Sequence, residues 1–167
     1  MRRVAGGLGS LLACVALTAC GGPDKSAEKP VATSIRAHDI KQLMAIVVQP
    51  QADVFWKSAG SITDAKGLHD LTPTTDAGWL ATRSAAATIT EMGNLLMTPQ
   101  YAEGRGADWI QFSRSLVEIG QRAEKAAADR NVDAIFDTGG TIYNVCSACH
   151  QAYPPRPAGP SAAPGAG

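Results

Sequence analysis

Asn131-Val132-Asp133-Ala134-Ile135-Phe136-Asp137-Thr138-Gly139-Gly140-Thr141-Ile142-Tyr143-Asn144-Val145-Cys146-Ser147-Ala148-Cys149-His150 is the stretch that decides the fold. Val132, Ile135, Phe136, Gly139, Ile142, Tyr143 and Cys146 recur at spacings of three and four, the period of one helix face. Asn131 supplies a side-chain acceptor for the exposed N–H groups of the first turn. The stretch therefore predicts a helix of about five turns. Gly139 and Gly140 inside it cost helix stability, which close approach of another group would offset.

The helix ends in Cys-x-x-Cys-His. Positions 146 and 149 project from the same side one turn apart, and His150 follows Cys146 by four. This is the spacing of a c-type haem attachment site. Two thiols add across the two vinyl groups of haem, and the imidazole meets the iron from the same face. One haem c, covalently held by Cys146 and Cys149 with His150 as iron ligand, is the expected cofactor. A thioredoxin-like dithiol would want a strand–loop–helix setting. A structural zinc site needs four ligands, and only His38 and His69 are left to supplement the motif.

Upstream the helical period continues. Ile40, Leu43, Met44, Val47 and Val48 share a face in a segment that starts at Ser34, a plausible N-cap. Pro50 interrupts it, because a proline in a helix removes a hydrogen bond and clashes with the preceding turn. The pattern resumes at Val54-Phe55-Trp56, so a kinked helix or two short ones would fit. Gly60–Thr75 reads as a connecting loop. A second helix runs from about Ala77 to Met97, capped by Asp76, with Ala85, Ile89, Met92 and Leu96 inward and Pro99 closing it. A third starts near Asp108 and buries Trp109, Phe112, Leu116, Ile119, Ala123 and Ala127. No strand pattern competes: Ile46-Val47-Val48 is β-branched but lies inside a longer helical stripe. The expected fold class is all-α, an antiparallel up-down four-helix bundle with the haem motif at the end of the last helix.

The flanks differ in kind. Met1-Arg2-Arg3 precedes an uncharged run from Val4 to Ala19, with small residues at its end. That is the layout of an export signal, shorter than the roughly 20 residues a spanning helix needs. Leu17-Thr18-Ala19-Cys20 resembles a bacterial lipobox. The resemblance implies a signal peptide over residues 1–19 and a lipidated Cys20, each buried methylene adding about 0.8 kcal/mol of membrane affinity. Gly21 directly after Cys20 resembles the outer-membrane sorting class, which implies the periplasmic side of a bacterial membrane. Residues 20–33 lack aromatics and read as a flexible tether of roughly 20 Å root-mean-square span. Residues 34–153 form the expected bundle, and the Pro/Ala/Gly stretch 154–167 a disordered tail.

The whole chain balances 15 basic against 15 acidic residues. Removing Arg2 and Arg3 leaves a slight negative excess, which argues against a nucleic-acid partner. With Cys14 in the signal and Cys20 at the lipid, no cysteine remains for a disulfide framework. No Ser/His/Asp set or carboxylate pair suggests an enzyme.

A haem motif closing the last of four helices resembles the cytochrome c′ family, over nearly all of residues 34–153. Tyr153, three residues after His150, resembles the aromatic that often follows the family motif. The resemblance implies that His150 binds iron and that the first helix covers the opposite haem face. Met44 stands where the family's distal residue sits. Leu43-Met44 with the Val-Val step resembles the six-coordinate, low-spin members, in which a methionine is the second iron ligand. Met44 as core packing remains the alternative. Met92, Met97, His38 and His69 are weaker ligand candidates, and Arg36 a family-style guess for a haem propionate. The function implied is single-electron transfer with redox partner proteins. The other reading is binding of small gases at an open or displaceable distal site. Relatives often pair through their first two helices, so the resemblance also admits a homodimer.

Overall fold

Asp39 starts the first helix. Its carboxylate accepts from the Gln42 N–H at 2.8 Å, and the Gln42 side chain accepts from the Asp39 N–H at 3.3 Å. This reciprocal capping box satisfies two otherwise orphaned donors. The start expected at Ser34 is thus corrected: residues 35–39 are not helical, and Ser34 lies outside the described residues. The structure is a computed structural model and describes residues 35–155. The signal segment, Cys20, the tether and residues 156–167 lie outside that range.

From Asp39 the chain runs through α1 (Ile40–Leu43), a π-helical segment (Met44–Val48) and α2 (Gln49–Trp56). The π segment explains how Pro50 is accommodated. In regular α geometry its ring would press on the carbonyl of Ile46, four residues back. Instead the turn widens ahead of it, with the Gln49 N–H reaching back five residues to the Met44 carbonyl, and Pro50 falls in the first turn of α2. The inward stripe slips accordingly. Leu43 and Val48 are both buried, five apart, whereas Val48, Ala52, Phe55 and Ala59 follow at four, three and four. Residues 40–56 are helical without a break, the α register giving way to π ahead of Pro50 and resuming at Gln49.

The loop expected over Gly60–Thr75 contains a small antiparallel hairpin, β1 (Ser61–Asp64) and β2 (Gly67–Asp70), with Ile62 opposite His69. The Asp64 carboxylate accepts from the Lys66 N–H at 2.7 Å and pairs with His69 at 2.9 Å. The hairpin is almost wholly exposed, so no buried alternation marks it in the sequence.

Three long helices follow. α3 (Asp76–Leu96) is capped by Thr75, whose hydroxyl accepts from the Gly78 N–H at 3.1 Å, rather than by Asp76. Pro99 opens a short helix, α4 (Pro99–Ala102). α5 (Ala107–Ala128) starts behind Gly106 and closes with Arg130 in the left-handed region, φ 54°; the Asn131 and Arg130 N–H groups donate to the Ala126 and Ala127 carbonyls. α6 (Val132–Ala152) is capped by Asn131 as expected, at 3.0 Å from the Ala134 N–H.

α2 packs on α3, α3 on α5, α5 on α6, and α6 returns to α2. Phe55, Ile89, Ile119, Ile135 and Ile142 are almost completely buried between them, each contributing about 1.5–3 kcal/mol. The buried hydroxyls are satisfied: Thr82 donates to Ser58 at 2.8 Å, Thr90 to the Ala86 carbonyl at 3.0 Å and Ser113 to the Trp109 carbonyl at 2.8 Å. α3 and α5 approach closely at Gly120, where an added Cβ would lie 3.1 Å from the backbone of Thr90. The α6 stripe is narrower than expected. Phe136 and Tyr143 are 65% and 60% exposed, at the margin of the face on which Ile135, Gly139 and Ile142 are buried.

Candidate functional site

The last turns of α6 carry the motif. Cys146 and Cys149 are half-buried and pack against the core, while His150 is exposed. Both thiols are free. The His150 side chain makes no hydrogen bond among the described residues. Tyr153 ends the helix, its N–H donating to the Cys149 carbonyl at 2.8 Å.

Tyr153 ties this end of α6 to the rest of the molecule. Its hydroxyl donates to the Arg105 carbonyl at 2.6 Å. Its ring meets Trp109 edge-on at 5.1 Å. Trp109 is buried and donates to the Leu96 carbonyl at 2.7 Å, and Tyr101 donates to the His38 carbonyl at 2.9 Å. The start of α1, the end of α3, α4 and the start of α5 are thereby linked around one end of the fold. That end also receives the motif.

The thiols sit in a suppressing environment. Burial, reinforced by Cys149 next to it, pushes the Cys146 thiol up to about 11. Burial also raises Cys149, with the Arg105 charge working in the other direction. An oxidoreductase dithiol needs the opposite, a depressed thiol. Among the described residues no group of three or more His, Cys, Asp or Glu side chains could hold a metal ion, so the four ligands of a structural zinc site are not assembled. What this helix end presents is two neutral thiols one turn apart with an imidazole beside the second, the donor types that covalent haem attachment would use.

The other sequence candidates are dispersed. Met44 opens the π segment, half-buried against the core. Outside its own helical arm, the principal neighbour of that segment is α3. Cys146, Cys149 and His150 are thus brought together by one helix end, and Met44 lies on a separate element. Arg36 is exposed and donates to the Gln100 carbonyl at 3.5 Å. His69 is held by Asp64 on the hairpin. Met92 and Met97 are half-buried at the end of α3. Cys20 lies outside the described residues.

Two features escaped the sequence reading. Between α2 and α6 lies a cleft of about 390 Å³ walled by Phe55, Trp56, Phe136, Gly139 and Tyr143. Trp56 donates to the Gly139 carbonyl at 3.0 Å and meets Tyr143 edge-on at 6.2 Å. The absence of a Cβ at Gly139 is what admits Trp56, since one would lie 3.3 Å from its ring. The pair Gly139-Gly140 between aromatics seven apart was the available signal. The second feature is Arg105, whose signal was the triplet Gly104-Arg105-Gly106.

No protein-family model, no curated protein and no solved structure matches the chain. Among the described residues no helix is long and apolar enough to cross a membrane.

Proposed function

We propose that the chain is a c-type cytochrome of cytochrome c′ type that carries single electrons on one covalently bound haem. The observation that carries this is the Cys146-Ser147-Ala148-Cys149-His150 motif at the end of α6, with both thiols turned toward the core and held neutral. The α1–α2 arm, α3, α5 and α6 are then the four members of an up-down bundle, a reading supported by their cyclic packing.

In this role the chain does little bond chemistry of its own. Haem supplies reversible one-electron transfer. Cys146 and Cys149 would hold it by thioethers, which would retain it in an export compartment. His150 would supply its imidazole nitrogen to the iron. Met44 is the proposed second ligand, which would raise the reduction potential relative to histidine alone. Exposed His150 and half-open Cys149 leave one edge of the site reachable by a redox partner protein. Cys20 is the proposed lipid anchor on the periplasmic side of a bacterial membrane, with the outer membrane indicated by Gly21.

A second reading has an observation of its own. Met44 lies on a segment whose principal outside neighbour is α3 rather than α6. If Met44 is packing, the distal side is open and the protein binds small gases. Carbon monoxide added to the reduced holoprotein separates the two. Little binding together with a reversible voltammetric wave supports the electron carrier. Fast, complete binding supports the gas binder, and no wave at all contradicts electron transfer.

A further inference from the structure

Glu103-Gly104-Arg105-Gly106 joins α4 to α5. Both glycines lie in the left-handed region, φ 74° and 83°, which other residues adopt only with strain. The backbone of this turn is therefore dictated by sequence, and Arg105 is held in it by several contacts. Its N–H donates to the Ala102 carbonyl at 3.1 Å, and its own carbonyl accepts from the Tyr153 hydroxyl at 2.6 Å. Its guanidinium lies over the Trp109 ring at 4.2 Å. Trp109 packs on Tyr153, whose N–H donates to the Cys149 carbonyl. Arg105 is thus fixed beside the last turn of α6 by two routes.

Among the described residues the Arg105 charge meets the Trp109 ring and no carboxylate. The four ion pairs of the described residues involve His69, Arg83, Lys125 and Arg130. The Arg105 guanidinium makes no hydrogen bond or ion pair among those residues, although Glu103 and Asp108 are near in sequence and exposed. The turn nevertheless holds Arg105 against the end of α6, through the Tyr153 hydroxyl on its carbonyl and the Trp109 ring that packs on Tyr153. A half-buried cation stacked on an aromatic ring, with no carboxylate partner among the described residues, keeps its charge available to a neighbouring group.

We propose that Arg105 is a positioning charge for the redox group attached at Cys149, favouring its reduced state. The inference rests on the haem reading above. Reduction adds one electron, delivered by a donor protein, and lowers the charge of the group by one unit. A fixed cation nearby stabilises that form over the oxidised one. A unit charge close to the group, at protein-surface dielectric and partly screened by solvent, shifts that equilibrium on the order of tenfold. For a one-electron couple that is about 59 mV.

The test is a potentiometric titration of haem-loaded wild type, Arg105→Gln and Arg105→Lys at low and high salt, with haem content measured on the same samples. Arg105→Gln should favour the oxidised form about tenfold more than wild type. Arg105→Lys, which keeps the charge, should stay within about twofold, and the wild-type-to-Gln gap should narrow as salt rises. A Gln variant with the wild-type potential overturns the proposal. So does a Lys variant that falls as far as Gln, because lost packing on Trp109 would then be the cause. If haem is covalently bound in all three and the potentials coincide, only Arg105 is misassigned. If none carries covalent haem, the haem reading fails and takes this proposal with it.

Discussion

Replacing Gly120 by alanine should force α3 and α5 apart. An ideal Cβ there lies 3.1 Å from both the Cα and the N of Thr90. These are backbone atoms that no rotamer change can move. The Thr90 hydroxyl, which donates to the Ala86 carbonyl at 3.0 Å, would be displaced as well. Overpacking of this kind costs about 1–3 kcal/mol, while a Gly→Ala change inside a helix returns about 1 kcal/mol. With backbone atoms as the obstacle, a net loss of about 1–2 kcal/mol is expected. Gly140→Ala is the matched control, since no heavy atom lies within 4 Å of the added Cβ. It should gain up to about 1 kcal/mol. The two variants should therefore differ by about 2 kcal/mol, roughly 8 °C in Tm for an ordered region of this size. Thermal melts followed by far-ultraviolet circular dichroism, with urea midpoints as a check, measure the difference. If Gly120→Ala melts at or above the wild-type temperature, the close approach of α3 and α5 is wrong.

Met44→Ala in the haem-loaded protein should convert a low-spin spectrum to a high-spin one and speed carbon monoxide binding at least tenfold; unchanged spectra would assign Met44 to packing. In the haem-free chain, the Cys146 proton is bound more tightly in the fold than in the unfolded chain, where the ordinary value is 9.0. The stability this contributes is complete below that value and is lost as the pH rises toward about 11. Urea midpoints should fall across that window, and alkylation of Cys146 at pH ~8 should be slower in the native than in the unfolded chain; equal rates would refute the burial argument. Cys20→Ser should move the protein from the membrane fraction to the soluble periplasmic fraction, and identical fractionation of both forms would sink the lipid anchor.

The helices were legible where one face meets a neighbour and the other meets water. The third-helix stripe through Trp109, Leu116, Ile119 and Ala123 is buried in the structure as its spacing implies. Asn131 caps α6 because its side chain lies within reach of the third helical N–H. At Pro50 the expected interruption takes the form of a π turn, a solution that the rule for proline in an α register does not specify. Ser34 and the Asp39–Gln42 capping box are competing start signals in the sequence, and the box prevails because both of its hydrogen bonds form. The hairpin left no trace because neither strand buries a face. At the site, the motif was legible because its chemistry depends on spacing within one helix. Arg105 and the Trp56–Tyr143 pair were not, because each acquires its meaning only from residues distant along the chain.

The central claim is that Cys146 and Cys149 hold haem covalently. The direct measurement is a pyridine haemochrome spectrum, taken after acid–acetone extraction, of protein matured together with a haem-attachment machinery. We expect a c-type spectrum with one haem per chain that resists extraction, abolished in the double variant Cys146→Ser, Cys149→Ser. A wild-type protein that carries no haem, or releases all of it to the acid solvent, would contradict the assignment.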